Sequence, residues 1–296
     1  MEKKDKHRDE VESFLQRNSG IQQWEITRPP SGRGHETYLA WSADVVYFVK
    51  LGAEAPRYRT MSSLGLTPEI ILNGRLEDGV SILVQTYIQG RNPSWTDFQQ
   101  YLERIARAVS KTHNSLELVD SLPKTSSALF ADSGLAALEQ VQRKWELYRS
   151  QVPKSGEFID QSLTQLKQDV LGFLGGGVVA SHNDICNANW LITPKGKIYL
   201  VDLEKMSRDD AAHDLGSLLW WYYPPQLRSQ FLSAAGYQDD EVMRNRMRVR
   251  MAIHCLDIIL PRPNSFDRFD VATFEDELID FKAVLDGSEN PRGYED

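Results

Sequence analysis

Residues 181–204 hold two carboxylates and an amide at spacings that could do chemistry. Asp184 is followed at the fifth position by Asn189, Asp202 closes the next apolar run, and Glu204 stands two residues further on. Two carboxylates about 4 Å apart repel by roughly 4 kcal/mol at an effective dielectric of about 20, so without compensation one of them would hold a proton. A divalent cation removes that conflict. Carboxylate and amide oxygens are hard donors suited to Mg²⁺, which keeps open positions for phosphate oxygens. The other carboxylate is then free to accept a proton from a hydroxyl. With His182 two residues before Asp184, the stretch fits the phosphoryl-transfer pattern H-x-D-x-x-x-x-N followed by a metal-holding Asp.

The surrounding elements must present these groups. Trp190-Leu191-Ile192 and Ile198-Tyr199-Leu200-Val201 are short apolar runs separated by Pro194, Lys195 and Gly196, which predicts a β-hairpin with Asn189 and Asp202 at its two ends. Asp184 falls on the loop just before it. Upstream, residues 37–41 and 45–51 read as strands joined by a turn at 42–44. Ser31, Gly32 and Gly34 lie in the loop before them. A glycine-containing loop lets backbone N–H groups approach phosphates, and it is equally a common structural turn. Lys50 ends the apolar run Val-Val-Tyr-Phe-Val, so it is either solvated at a strand end or aimed into a cleft, where its point charge suits a phosphate. Residues 54–64 read as a helix with Pro56 in its first turn. Glu54 either pairs with Lys50 or complements the helix dipole. Strands are expected at 70–72 and 80–87. Gly90, Asn92, Pro93 and Ser94 then mark a linker. The lobe boundary is placed here, giving an N-terminal lobe over 1–88 and a larger lobe over 89–296.

That larger lobe reads as mainly helical, with amphipathic segments at 101–116, 135–148, 158–174, 209–221, 241–260 and 269–285. His113 is expected to be a hydrogen-bonded structural histidine. Asp214 either accepts from backbone near the 182–184 loop or is simply polar on its helix. Trp220, Trp221, Tyr222 and Tyr223 read as core, with a wall against a cationic or planar substrate as the alternative. Arg244, Arg246, Arg248 and Arg250 do not share one helical face, which points to solvated roles. Asp267, Asp270, Glu275, Asp276, Glu277 and Asp280 read as a solvated helix face that could alternatively meet a cation.

Composition sets bounds. The 296 residues are 41% hydrophobic and 26% charged, ordinary for a globular protein with a sizeable core. The formal net charge of −8 argues against nucleic acid as a partner and suits a cationic acceptor. Cys186 and Cys255 form neither a disulfide framework nor a zinc pattern, which favours a reducing, cytoplasmic setting. The first ten residues lack the apolar core of a signal peptide, and no stretch is long enough for membrane insertion. Nothing bears on oligomeric state.

Ser181-His182-Asn183-Asp184-Ile185-Cys186-Asn187-Ala188-Asn189-Trp190 resembles the catalytic motif of the aminoglycoside phosphotransferase and choline kinase superfamily. Val201-Asp202-Leu203-Glu204 resembles its metal-binding segment, and His213-Asp214-Leu215-Gly216 the element that follows. The His-Asn-Asp form is closest to choline and ethanolamine kinases, and the run from Trp190 through Tyr222-Tyr223-Pro224 also resembles bacterial thiamine-kinase-like proteins. The likeness spans roughly residues 20–225 and implies an α+β, two-lobed protein-kinase-like fold. Its small lobe would be an antiparallel sheet with one main helix, and its larger lobe mostly helical. It implies an ATP- (or GTP-) and Mg²⁺-dependent kinase acting on a hydroxyl of a small molecule. In that reading Asp184 is the base, His182 supports the loop, and Asn189, Asp202 and Glu204 face the metal. Ser31, Gly32 and Gly34 cover the nucleotide, and Lys50, paired with Glu54, contacts its phosphates. Gln85, Thr86 and Tyr87 offer backbone groups to the adenine. Leu203 departs from the family's usual Trp or Phe. The C-terminal Arg-Gly-Tyr-Glu-Asp lacks the ending of the aminoglycoside 3'-phosphotransferases, so choline-, ethanolamine- or thiamine-like acceptors are favoured over aminoglycosides or sugars. The Asp-Phe-Gly and Ala-Pro-Glu elements of protein kinases are absent, which argues against a protein substrate. The rival of another class is a pseudokinase-like binding protein, and the filled catalytic positions count against it.

Overall fold

A computed structural model describes residues 7–29, 36–122, 129–261 and 268–296. The chain divides into two compact units, one of Met1–Asn92 with Asn189–Glu204, the other of Pro93–Ala188 with Lys205–Asp296.

The small unit begins with α1 (Arg8–Ser19), whose Val11, Phe14 and Leu15 are buried and whose end is set by Gly20 at φ 77°. Then come β1 (Glu25–Thr27), β2 (Thr37–Trp41), β3 (Val46–Leu51), α2 (Ala55–Ser63), β4 (Ile70–Arg75) and β5 (Ser81–Thr86). The strands form one sheet in the order β1-β2-β3-β5-β4, with every neighbouring pair antiparallel. Trp24, Tyr38, Val49, Ile82 and Val84 pack with the α1 residues into one core. β3 lies in the middle of the sheet, so Lys50 is held from both sides, opposite Thr37 of β2 and Leu83 of β5.

The large unit continues with α3 (Trp95–Gln100), α4 (Leu102–His113), α5 (Leu116–Ser121), α6 (Phe130–Tyr148), α7 (Gly156–Leu171) and β6 (Val179–Ser181). The chain then returns to the small unit for the hairpin β7 (Trp190–Ile192) and β8 (Ile198–Leu200), which turns through Gly196 at φ 73°. It finishes in the large unit with β9 (Ser207–Asp209), α8 (Ala211–Tyr222), α9 (Pro225–Ala235), α10 (Glu241–Ile259) and α11 (Val271–Asp286). β6 and β9 pair antiparallel. Leu138, Leu163, Leu166, Val249, Ile253 and Phe281, from α6, α7, α10 and α11, are among the residues of its main core.

This is the expected α+β arrangement of an antiparallel-sheet lobe with a mostly helical remainder, and it differs from expectation in identifiable places. The small unit runs to Asn92 rather than 88 and takes the β7–β8 hairpin. Main-chain pairing explains this: Leu200 N donates to Leu66 O, and Arg91 bridges Ile192. The six-residue helices α3 and α5 and the three-residue strand β9 carry too few residues for periodicity to reveal them. Arg246 and Arg250 are buried rather than solvated, because four residues apart on α10 they meet the carboxylates of Asp210 and Asp209. Asp280 is likewise buried, paired with Arg292 at 2.7 Å. Asp267 lies outside the described residues. Trp220, Tyr222 and Tyr223 are buried, and Tyr222 stacks on Phe98 with centroids 4.0 Å apart.

Gly216 shows why the Asp-Leu-Gly element ends in glycine. A Cβ there would stand 3.0 Å from the main-chain oxygen of Met247, where α8 and α10 pass closely. Gly216→Ala is expected to destabilise the protein by about 1–3 kcal/mol through overpacking. Thermal unfolding should read this as a loss of several degrees.

Candidate active site

The candidate residues fall in both units. In the small unit Lys50 is 5% exposed, and burying a lone ammonium is costly without partners. It has three. Its Nζ lies 2.5 Å from Asp202 Oδ1, 2.6 Å from Glu204 Oε2 and 3.2 Å from the Tyr58 hydroxyl. Asp202 has φ 61°, a left-handed conformation that Asp tolerates better than most residues, at the point where the chain leaves β8. Its side chain is 46% exposed, whereas that of Glu204 is 16% exposed. Of the two carboxylates, Asp202 is therefore the one open to a further cation. Asn189 is buried at the other end of the hairpin, where its main-chain oxygen accepts from Val201 N at 2.8 Å. This hydrogen bond brings the main chain on either side of the hairpin together.

Glu54 stands elsewhere than expected. It is exposed at the N-cap of α2, and Lys50 is met by Asp202, Glu204 and Tyr58 instead. Pro56 fixes the helix start so that Tyr58, not Glu54, faces inward. Gln85 is also turned away from any open surface. It is buried in β5, and its side-chain amide donates to Pro68 O at 2.8 Å. The N–H groups of Thr86 and Tyr87 donate to Glu69 O and Val46 O, so these donors serve the sheet. Ser31, Gly32 and Gly34 lie outside the described residues.

In the large unit, the loop carrying Asp184 is held by Asp214. Asp214 Oδ2 accepts from His182 N at 2.7 Å and from His113 Nε2 at 3.1 Å, and Oδ1 accepts from Asn183 N at 3.0 Å. Asp214 is 1% exposed. Burial alone would raise its pKa, but the hydrogen bond from His113 and the neighbouring histidines outweigh this and hold it well below the usual carboxylate range. His113 has the structural role read from its helix face, since its other nitrogen meets the Tyr237 hydroxyl at 2.8 Å. His182 is fully buried.

Asn183 takes φ 60°, which explains why this position suits Asn or Gly. Its amide Nδ2 donates to Ser207 Oγ at 2.7 Å and Lys205 O at 3.2 Å, while Oδ1 accepts from Ser181 Oγ at 2.9 Å and His213 Nδ1 at 2.8 Å. Asp184 itself is partly exposed and pairs with Lys205 Nζ at 2.9 Å. Lys205, Tyr58 and Arg57 were not legible as site residues. Their only sequence signal is proximity to the Asp202–Glu204 segment for the first and to Lys50's helix neighbour for the others.

His254 and His213 stand with ring centroids 5.4 Å apart. Burial, and then the charge of His213, push His254 down to about 3 from an ordinary value of 6.5. An unfolded chain therefore binds a proton here that the folded one refuses, and stability falls as pH drops below about 6.5. We expect the melting temperature to decline from pH 7 to pH 5, and His254→Gln to flatten that decline.

No cluster of three or more His, Cys, Asp and Glu side chains with metal-holding geometry occurs among the described residues. Such a cage is not what Mg²⁺ requires, since it is bound through one or two carboxylates plus water and phosphate oxygens. Asp202 offers a half-exposed carboxylate and Asn189, at the other end of the same hairpin, an amide, both hard oxygen donors of the type Mg²⁺ takes.

The model of the phosphotransferase enzyme family matches residues 25–248. Among solved structures, a choline/ethanolamine kinase family protein from Mesorhizobium loti is 19% identical with a TM-score of 0.68, over 96% of this chain and 95% of that one. Choline kinase LicA from Streptococcus pneumoniae is 18% identical with a TM-score of 0.61, over 93% and 99%. Spectinomycin phosphotransferase APH(9)-Ia, in complex with ADP and spectinomycin, is 14% identical with a TM-score of 0.65, over 94% and 97%.

Proposed function

The chain belongs to the phosphotransferase enzyme family, and from that premise we propose that it phosphorylates a hydroxyl of a small molecule with Mg·ATP. Acceptors of the choline, ethanolamine or thiamine kind come before aminoglycosides and sugars. The observation that carries this reading is the buried Lys50 ammonium 2.5 Å from Asp202, a strand lysine set against a carboxylate of the metal-holding type.

Each residue has a role in this proposal. Lys50 contacts the nucleotide phosphates. Asn189 and Asp202 hold the metal, and Glu204, enclosed by Lys50 and Tyr58, anchors the lysine more than it faces the ion. Mg²⁺, when bound, offsets the charge of the transferring phosphoryl group. Asp184 orients the acceptor hydroxyl and takes its proton, and His182 supports the loop through its main-chain N–H. Cys186 and Cys255 are not joined in a disulfide, which suits a cytoplasmic enzyme; no helix among the described residues is long and apolar enough to cross a membrane.

Mg²⁺-dependent consumption of ATP and of GTP, measured over choline, ethanolamine, thiamine, a sugar and an aminoglycoside, tests the reading. Turnover with the first three is expected. Turnover with only the last two would move the acceptor class, and nucleotide binding without turnover on any acceptor would favour a binding protein.

A further inference from the structure

The lysine expected to meet a helix glutamate meets a helix tyrosine instead. Tyr58, in the first turn of α2, is 2% exposed. Its hydroxyl lies 3.2 Å from Lys50 Nζ, 2.8 and 3.0 Å from the two oxygens of Glu204, and 3.2 Å from Leu203 N. A hydroxyl has one proton to donate and two lone pairs to accept with. The chemistry of the neighbours assigns all three. Glu204, acceptor-only when ionised, takes the proton, while the ammonium of Lys50 and the N–H of Leu203 fill the lone pairs.

The preceding residue strengthens the grip. Arg57 Nη1 donates to the main-chain oxygens of Leu203 and Glu204 at 3.1 and 2.9 Å. Consecutive residues of α2 thus bind the segment after Asp202 through its main chain and through the Glu204 carboxylate. A glutamate at position 58 could not reproduce this. It has no proton for Glu204, and it would set a third negative charge around Lys50 beside Asp202 and Glu204.

We propose that Tyr58 is a positioning residue that fixes Lys50 and Glu204 relative to each other, a neutral hydroxyl standing where a helix carboxylate was expected. The inference rests on the reading of Lys50 as the phosphate-contacting lysine. Because Asp202 is the open carboxylate and Glu204 the enclosed one, Tyr58 and Glu204 form the anchor that stays with Lys50 when Asp202 serves another cation.

Tyr58→Phe removes only the hydroxyl and keeps the ring. Two measurements on the full-length variant separate positioning from plain stability. The first is nucleotide-free: the rate at which an amine-reactive reagent labels Lys50, read by peptide mass spectrometry well below the melting temperature. It should rise several-fold over wild type. The second is the Kd and KM for Mg·ATP. Each should rise about ten-fold, the scale of one hydrogen bond to a charged group, with a smaller change in kcat. Tyr58→Glu should fail to restore either value. Glu204→Gln should accelerate Lys50 labelling as well, and adding Tyr58→Phe to it should add little.

Unchanged Lys50 labelling in folded Tyr58→Phe, or wild-type behaviour of Tyr58→Glu, would overturn the proposal. If wild type binds no Mg·ATP, the assigned function fails, while the labelling rates still decide what Tyr58 does. If Tyr58→Phe does not fold, the Glu204→Gln labelling rate decides alone, and a wild-type rate there overturns the proposal.

Discussion

Asp184→Asn is expected to abolish measurable phosphoryl transfer while leaving the affinity for Mg·ATP within a few-fold of wild type. The groups assigned to the nucleotide and metal, Lys50, Asn189 and Asp202, all fold within the small unit, whereas Asp184 belongs to the large one. Asp184 is a partly exposed carboxylate on a loop pinned by Asp214, with Lys205 Nζ at 2.9 Å, which suits the proposed acceptor-side role. The amide keeps the shape and loses the ability to take a proton. General-base assistance of this kind contributes about 10²–10⁴-fold, so kcat should fall by at least that range while binding persists. Isothermal titration with Mg·ATP beside a coupled turnover assay gives both numbers. Near-full turnover in Asp184→Asn would remove Asp184 from the mechanism. A matched loss of nucleotide affinity would instead assign it to the metal.

Local signals carried much of this picture. The β7–β8 hairpin was readable because two apolar runs flank Pro-Lys-Gly, and turn chemistry acts over a few residues. Lys50 was readable as a charge ending an apolar strand. Its partners were harder. Asp202 and Glu204 lie more than 150 positions away, and only the resemblance of their segments to a known family linked them to the lysine. Tyr58 carries no charge to mark it as a lysine's partner, whereas Glu54 does, although it is the hydroxyl that meets Lys50. The membership of residues 189–204 in the small unit depends on main-chain hydrogen bonds such as Leu200 N to Leu66 O, and those leave no trace in residue type. The burial of Arg246 and Arg250 was hidden for a related reason. Their spacing of four put them on one face, but the carboxylates that neutralise them sit at the start of α8, far back in the chain.

The same long-range logic applies to Asp214 of the large unit. Its carboxylate accepts from two consecutive main-chain N–H groups, those of His182 and Asn183, and from the ring of His113. Asn183 is held at φ 60°, a conformation that costs of order 1–3 kcal/mol for a non-glycine residue and persists only when neighbours over-determine it. Removing the carboxylate leaves buried donors without an acceptor and releases that constraint together. Asp214→Ala should therefore cost about 3–5 kcal/mol, the scale for breaking a buried charged network by deleting one partner. The melting temperature should fall by about 6–20 °C, at about 2–4 °C per kcal/mol for a unit of this size. Asp214→Asn separates the two effects, since it keeps the volume but offers one acceptor oxygen where two are used. It should lose less stability than Asp214→Ala yet still lower kcat, because the main chain on either side of Asn183 is no longer clamped ahead of Asp184. Melting curves and turnover of both variants, taken below their melting temperatures, test this. Full activity in a destabilised Asp214→Asn protein would show that Asp214 supports the fold without positioning Asp184.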